Sequence, residues 1–205
     1  MKTMREASKN RKSKETDITV KLNIDGSGVS KINSGIGFLD HMLELFAFWG
    51  LFDLEVIVNK GDFNIDIHHT NEDVGIVLGQ AFKEALGDKK GIERLGSFSV
   101  PMENVTAYVT VDISGRGSFK LDMTPLGYEC LLPNQGYEIK YAEHFFEAFA
   151  KQLGMNLNIK IDNPNPDLHA TLEPVFKALG KALDIATQID PRRKGIPSSK
   201  GIIDQ

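Results

Sequence analysis

The chain has 205 residues, 41% of them hydrophobic, which is typical of a globular protein and is long enough to bury a core. Its 24 basic and 28 acidic residues give a formal charge of −4, so the basic excess that binds a nucleic-acid backbone is absent. One cysteine, Cys130, excludes an intramolecular disulfide framework, and the sequence shows neither a long apolar run nor a signal-peptide pattern. We therefore expect a cytoplasmic protein with neither nucleic acid nor a membrane as partner.

The first part of the chain alternates strand and helix patterns. Residues 1–14 are basic and poor in apolar residues, which suits an anion-binding arm but favours a mobile solvated tail. The later segments follow from hydrophobic periodicity and from turn and capping residues. In chain order they are a strand at 17–24 continuing through the turn Asp25-Gly26 into a hairpin, a helix at 37–49 capped by Gly50, a strand at 53–59, and a helix at 70–86 with acidic residues in its first turn and Gly87 at its end.

The second part repeats this order. The predicted elements are strands at 104–113 and 118–123, a helix at 138–153 ended by Gly154, a strand at 155–161, and a helix through 173–187 with Pro174 near its start. His41 precedes His68 by 27 residues and His144 precedes His169 by 25, which indicates an internal duplication. We predict an α+β protein in which each half is a small, mainly antiparallel sheet with two helices on one face. The halves are residues 1–92, with the basic arm, and residues 93–205, with a C-terminal tail.

All five histidines lie in four short motifs: DHML at 40–43, HHTNED at 68–73, EHFF at 143–146 and HATLE at 169–173. At a helix start, the spacing of His68 and His69 to Glu72, and of His169 to Glu173, allows the side chains to converge on a metal ion. Imidazole and carboxylate groups without a thiolate suit manganese, iron or cobalt, and zinc remains open. The alternative is that each histidine is hydrogen-bonded to its neighbours and that HHxxE merely caps a helix. The recurrence of the histidine pattern in both halves favours metal binding.

The same motifs carry a family resemblance over residues 15–202. The segments GIGFLDHML, HHTNEDVGIVLGQAFKEALG, DISGR, EHFFEAFA, FKALGKAL and PSSKG resemble successive motifs of the imidazoleglycerol-phosphate dehydratase family. The resemblance implies a duplicated fold similar to the second domain of ribosomal protein S5 and a hollow homo-oligomer of cubic symmetry with 24 subunits. It also implies two Mn²⁺ ions per subunit, bound where subunits meet. The implied reaction, in histidine biosynthesis, is dehydration of D-erythro-imidazole-glycerol phosphate to imidazole-acetol phosphate.

By position, the resemblance assigns site residues to this chain. The implied metal ligands are His41, His68, His69, Glu72, His144, His169 and Glu173. The implied catalytic residues are Glu15, His41, Glu72 and Glu173. The implied substrate-binding residues, which suit a dianionic phosphate, are Arg94, Arg116, Ser198, Ser199 and Lys200.

The chain departs from the family pattern at three places. Ala170 stands where an eighth ligand, a histidine, is expected, which predicts that one metal site is weakened. Trp49 replaces a histidine before the glycine that ends the helix, which suggests that packing has replaced a polar contact with the substrate. The loop 163–168 (NPNPDL) differs from the segment that precedes the paired histidines in the family, so the resemblance does not predict the geometry of this loop.

The implied chemistry requires activation of the imidazole ring, because the carbon-bound proton beside it is not acidic enough for an unaided base. A metal on a ring nitrogen would favour the imidazolate, whose electrons expel the hydroxyl group to form a diazafulvene. Glu15 is the candidate acid or base, the other reading being an ordinary exposed residue. Two other functions remain open: a non-catalytic homologue that keeps the oligomeric shell and part of the metal site, and a dinuclear metal hydrolase such as a phosphatase.

Overall fold

The computed structural model describes residues 5–124, except for the side chain of residue 124, and residues 130–203. It contains eight strands and four helices within these ranges. In chain order they are β1 (Glu6–Lys12), β2 (Asp17–Asn23), β3 (Ser30–Asn33), α1 (Gly37–Gly50), β4 (Asp53–Lys60), α2 (His68–Leu86), β5 (Leu95–Met102), β6 (Val105–Asp112), β7 (Ser118–Thr124), α3 (Ile139–Leu153), β8 (Asn156–Asp162) and α4 (Leu168–Thr187).

The strands form two sheets of the same design. The first has the order β1-β2-β4-β3 and the second β5-β6-β8-β7; in each, the pair at one edge is parallel and the other two pairs are antiparallel. In β2, Ile18, Val20 and Leu22 are buried while the residues between them are partly or fully exposed, so one face of the sheet packs on the core. The predicted duplicated α+β architecture is confirmed.

The four helices lie between the two sheets. Helices α1 and α2 pack on the first sheet, α3 and α4 pack on the second, and the two helical layers meet through the pairs α1–α4 and α2–α3. Glycine permits the close approach at equivalent points: a Cβ on Gly79 would lie 2.7 Å from the carbonyl oxygen of Phe149, and one on Gly180 would lie 2.5 Å from that of Phe46. The helix pairs that carry the histidine motifs are therefore held close together.

The structure corrects the prediction for the N-terminal arm. Residues 6–12 are not a mobile tail but strand β1, which pairs with β2 along its whole length. The first hairpin is therefore formed by β1 and β2. The hairpin expected after Asp25-Gly26 is absent, because β3 pairs in parallel with β4 instead. Strand β5 was not predicted. Residues 1–4 of the arm lie outside the described residues.

Three helix boundaries also differ. Helix α2 begins at His68, so Glu72 lies beyond the first turn and the predicted acidic first turn is wrong. Helix α4 begins at Leu168, which places Pro174 in its second turn. Helix α1 continues through Gly50, and Leu51 supplies the left-handed cap with a φ of 57°. Gly50 is needed in the helix because a side chain there would meet Phe52 and Gly180.

The boundary at residues 92 and 93 stays a prediction; it falls between α2 and β5. None of the helices in the described residues is long and apolar enough to cross a membrane.

Candidate metal centre

The first histidine cluster joins α1 to α4. This group, called cluster A, consists of His41, His169 and Glu173, whose ligand atoms all lie within 4.8 Å of one another. The rings of His41 and His169 stack with centroids 5.1 Å apart, and His169 Nε2 lies 2.6 Å from Glu173 Oε2. The distance from His41 Nε2 to the same oxygen is 3.7 Å, too long for a hydrogen bond.

The second cluster joins α2 to α3 in the same manner. Cluster B consists of His68, Glu72 and His144, the residues that the duplication relates to those of cluster A. The ring centroids of His68 and His144 are 4.3 Å apart, and His68 Nε2 lies 3.3 Å from Glu72 Oε2. Unlike cluster A, these described residues do not bring three ligand atoms within 4.8 Å of one another. Cluster B is therefore the looser of the two.

Two buried side-chain polar atoms among the described residues have no hydrogen-bond partner, and both belong to these clusters. They are Nε2 of His41 and Nδ1 of His144. A buried ring nitrogen without a partner is unfavourable unless something satisfies it. A divalent cation coordinated by the neighbouring imidazole and carboxylate groups would give these ring nitrogens a partner, and the donor set suits such an ion. The residues present therefore fit a metal ion better than they fit the alternative in which each histidine is satisfied by its neighbours.

The loops that enter helices α2 and α4, which begin with the HHxxE and HAxxE motifs, have matching geometry. Asp66 Oδ1 accepts a hydrogen bond from the backbone N–H of His68 at 2.7 Å, and Asp167 Oδ1 accepts one from that of His169 at 3.0 Å. The hydroxyl oxygens of Thr70 and Thr171 likewise accept backbone N–H groups of the preceding loops, at 2.9 and 2.8 Å. The unusual sequence of loop 163–168 therefore keeps the anchoring seen in the first repeat.

Lys177 is a member of the site that the sequence did not reveal. Its Nζ lies 2.5 Å from Glu173 Oε1, one helical turn away on α4. Burial opposes ionisation of Glu173, but hydrogen bonds and charge from Lys177 and His169 outweigh it and hold the pKa of this carboxyl below its usual value. The i,i+4 spacing of Glu173 and Lys177 was the available signal, but such pairs are common on solvated helix faces.

His69 does not join cluster B, although it is adjacent to His68. Its Nδ1 lies 2.8 Å from Asp62 Oδ2, and the hydrogen bond that this carboxylate accepts raises the pKa of the imidazole. Glu15 is in the same place: the ligand atoms of Glu15, Asp62 and His69 lie within 4.8 Å of one another. The structure thus groups the candidate acid or base with His69, and Asp62 is a second site residue that the sequence reasoning missed.

The two substitutions noted in the sequence lie beside cluster A. Ala170 is a buried residue in the first turn of α4, between His169 and the helix core. Trp49 is 43% exposed, and Lys177 Nζ lies 6.0 Å from the centroid of its ring. Trp49 therefore faces solvent and the cationic end of Lys177, at the limit of a cation–π contact. That packing has replaced a polar contact with the substrate here stays a prediction.

The proposed phosphate-binding residues assemble only in part. Arg94 donates two hydrogen bonds to the carboxylate of Asp112, at 2.6 and 3.1 Å, and a third to the carbonyl oxygen of Pro197 at 3.0 Å. This third bond ties Arg94 to the segment containing Ser198, Ser199 and Lys200. Arg116 lies in the turn between β6 and β7, where its backbone N–H donates to Ser114 Oγ at 3.3 Å.

The fold and the two clusters define a duplicated α+β protein with paired candidate metal sites. The family model for imidazoleglycerol-phosphate dehydratase matches residues 34–183. A relative from Thermoanaerobacter sp. (strain X514) with that name is 51% identical over 200 residues, covering 98% of this chain and 100% of the relative. One from Methanocella arvoryzae is 48% identical over 203 residues, again covering 98% and 100%.

Two solved structures of imidazoleglycerol-phosphate dehydratase are also similar. The Staphylococcus aureus protein has a TM-score of 0.76 at 31% identity and matches over 90% of this chain and 99% of its own. The Pyrococcus furiosus protein, in complex with (S)-C348, has a TM-score of 0.78 at 30% identity and matches over 95% and 99%. The chain belongs to the imidazoleglycerol-phosphate dehydratase family.

Proposed function

We propose that this chain is a metal-dependent hydro-lyase that converts D-erythro-imidazole-glycerol phosphate into imidazole-acetol phosphate in histidine biosynthesis, in the cytoplasm. The family supports the reaction. The structural observation that carries the proposal is the pair of buried, unpartnered ring nitrogens, of His41 and His144, in two clusters related by the duplication. Neither a hydrolase nor a non-catalytic shell is favoured by any contact in the site.

The proposed cofactor is Mn²⁺, with two candidate positions per chain. Cluster A would hold one ion through His41, His169 and Glu173, and cluster B would hold the other through His68, Glu72 and His144. His69 is a further ligand in this proposal. Such ions supply a Lewis acid for a ring nitrogen of the substrate. Because cluster B is looser and Ala170 removes one imidazole from the chain, we expect the two positions to differ in affinity.

The chain's own groups would move the protons. Loss of water requires that one group remove the carbon-bound proton and that another protonate the departing hydroxyl. Glu15 is exposed and sits in a turn whose geometry is fixed by Ser13, because Ser13 Oγ accepts the backbone N–H groups of Glu15 and Thr16 at 3.1 and 3.0 Å. It is our candidate for one of these roles. Glu72 and Glu173 would orient the rings of their clusters.

Binding of the phosphate would fall to Arg94, Arg116, Ser198, Ser199 and Lys200. Arg94 uses three donors on Asp112 and Pro197, which fixes the position of the segment that begins at Ser198. Its role is therefore to hold this segment as well as to contribute positive charge. Ser198, Ser199 and Lys200 would then offer hydroxyl and cationic donors from one segment, which suits recognition of a dianion.

Self-association is the second part of the proposal. Val29, Phe48 and Leu51 are large apolar side chains exposed near the end of α1, and Gly28 packs against the backbone of Phe48. Exposed apolar residues gathered in this way are typical of protein–protein contacts. We propose a homo-oligomer, the 24-subunit shell of the family resemblance being the specific form expected.

A direct assay tests the function. The metal-loaded protein is incubated with D-erythro-imidazole-glycerol phosphate, and imidazole-acetol phosphate and inorganic phosphate are measured in parallel. We expect metal-dependent dehydration without phosphate release, and loss of it in His41→Ala. The matched control is Arg192→Lys, an exposed residue that forms an ion pair with the nearby Asp190. Phosphate release would instead indicate a hydrolase, and no turnover at saturating Mn²⁺ would indicate a non-catalytic homologue.

A further inference from the structure

The contact between Asp62 and His69 determines which ring nitrogen is free. Asp62 Oδ2 lies 2.8 Å from His69 Nδ1, within hydrogen-bond distance. An ionised carboxylate can only accept a hydrogen bond, so Nδ1 carries the proton. In the neutral imidazole, the lone pair is then on Nε2, which is the atom that a cation would bind.

Asp62 is itself held in place. Its backbone N–H donates to Thr70 Oγ1 at 2.9 Å, and its side chain is only 15% exposed, whereas that of His69 is 44% exposed. A partly buried carboxylate with a fixed backbone therefore supports a more exposed imidazole. This arrangement is the one in which an outer carboxylate fixes the orientation of a metal-binding histidine.

The second repeat provides an internal comparison. There the backbone N–H of Asn165 donates to Thr171 Oγ1 at 2.8 Å, so Asn165 occupies the position of Asp62. Its side-chain oxygen accepts the backbone N–H of Asp167 at 2.9 Å instead of an imidazole. The repeat that lacks the histidine, at Ala170, thus also lacks the carboxylate. The carboxylate is thus present in the repeat that has the histidine and absent from the repeat that lacks it, so the loop does not need it in order to form.

We propose that Asp62 is a positioning residue that holds His69 as the Nδ1–H tautomer and presents Nε2 to a divalent cation. This inference rests on the proposed function, in which His69 is a metal ligand. It gives Asp62, which the sequence motifs did not assign, a role that acts through His69.

A double-mutant cycle on the chelator-stripped full-length protein tests it, with Mn²⁺ affinity measured by calorimetry. We expect Asp62→Ala to weaken Mn²⁺ binding about 10- to 100-fold. Asp62→Asn should weaken Mn²⁺ binding less, because its amide oxygen can still accept a hydrogen bond from His69 Nδ1. In a His69→Ala background, Asp62→Ala should have no further effect. Asp88→Ala, which removes an exposed carboxylate paired with Lys90, is the matched control and should leave affinity unchanged.

The outcomes separate the two levels of the proposal. If His69→Ala weakens Mn²⁺ binding but Asp62→Ala does not, or if the effect of Asp62→Ala is the same without His69, the positioning role is overturned while the ligand role stands. If His69→Ala leaves the affinity unchanged, the ligand role in the proposed function fails as well. Solid-state ¹⁵N NMR of histidine-labelled, metal-free protein gives a second readout: a His69 Nδ1 without a proton would also overturn the proposal.

Discussion

Single side chains distinguish the two metal positions. The duplication supplies a histidine at residue 69 in one repeat and Ala170 at the equivalent point in the other, while the remaining ligands are matched. Since each imidazole adds to affinity and to the orientation of the ion, the missing one has a direct effect on metal content.

Restoring that imidazole should therefore raise the metal content. We expect Ala170→His to bind more Mn²⁺ per chain than the parent protein, measured by elemental analysis after equilibration and desalting. Ala170→Gln, similar in size but a poor metal ligand, is the control for packing around the buried position. An unchanged metal content in Ala170→His, with the fold intact, would contradict a role for this residue in the site.

Arg94 connects the second sheet to the C-terminal segment. Arg94→Lys replaces a planar group that makes three hydrogen bonds with a single ammonium, so the bidentate contact with Asp112 is lost. We expect KM to rise about tenfold, or about 1.4 kcal/mol, with a smaller change in kcat. Steady-state kinetics of dehydration check this. An unchanged KM would show that the segment needs no such anchor.

Asn71 links the two repeats inside the core. Its side chain is fully buried, donates to the carbonyl oxygen of Tyr141 at 2.7 Å, and accepts the hydroxyl of Tyr137 at 2.8 Å. Asn71→Leu copies the residue at the equivalent position, 172, and removes both hydrogen bonds, which leaves the buried hydroxyl of Tyr137 without this partner. We expect a loss of about 1–3 kcal/mol of stability, mainly from this hydroxyl, seen as a lower Tm at fixed protein concentration. Adding Tyr137→Phe should restore part of the loss; no restoration would exclude the hydrogen bond as the cause.

At the scale of elements, the approach of paired helices places the clusters. Ligands of cluster A come from α1 and α4 and those of cluster B from α2 and α3, so small shifts between helices separate the ligand atoms. Glycines at matching positions, Gly79 and Gly180, remove the side chains that would otherwise keep these helices apart.

A methyl group at this crossing should be destabilising. Gly79→Ala gains about 1 kcal/mol of helix propensity, yet its Cβ would lie 2.7 Å from a backbone oxygen of α3, so we expect a lower Tm and weaker Mn²⁺ binding at cluster B. The control is Gly195→Ala, where an added Cβ meets nothing within 4 Å. Thermal unfolding measures both. A Tm for Gly79→Ala at or above that of the parent would refute the packing argument.

For the whole molecule, a bound cation would couple metal binding to folding. A cation that binds only the folded protein adds to its stability according to concentration and affinity. It would also satisfy the ring nitrogens of His41 and His144, which the protein alone leaves buried without partners.

Removal of metal should therefore lower stability and oligomer size together. We expect a chelator to lower the Tm and to reduce the population of species many times heavier than the 22.7 kDa chain, with Mn²⁺ reversing both effects. Thermal unfolding and analytical ultracentrifugation give the two readouts. The double variant His41→Ala with His144→Ala should be insensitive to the chelator; if it responds like the parent, the clusters do not hold the ion.

Some of this could be anticipated from residue patterns. Helices α1, α2 and α3 and strands β2, β4, β6, β7 and β8 follow from periodicity and terminal glycines, because one apolar face must be buried. Strand β1, with the sequence EASKNRK, carries no such signal: pairing with β2 makes it a strand. Similarly, the spacing of the motif does not predict that Nδ1 of His69 meets Asp62, whose backbone is held by Thr70.

The sequence by itself determined the duplication, the α+β class, and the HHxxE and HAxxE motifs, since local spacing and burial periodicity carry that information. Only the tertiary structure decided which histidines meet, that α1 pairs with α4 and α2 with α3, and that Lys177 and Asp62 belong to the site. The contacts between helices join residues far apart in the chain, so they depend on packing that no local pattern contains. The contacts of Lys177 and Asp62 are close in sequence, but their spacing alone does not decide which groups these side chains meet.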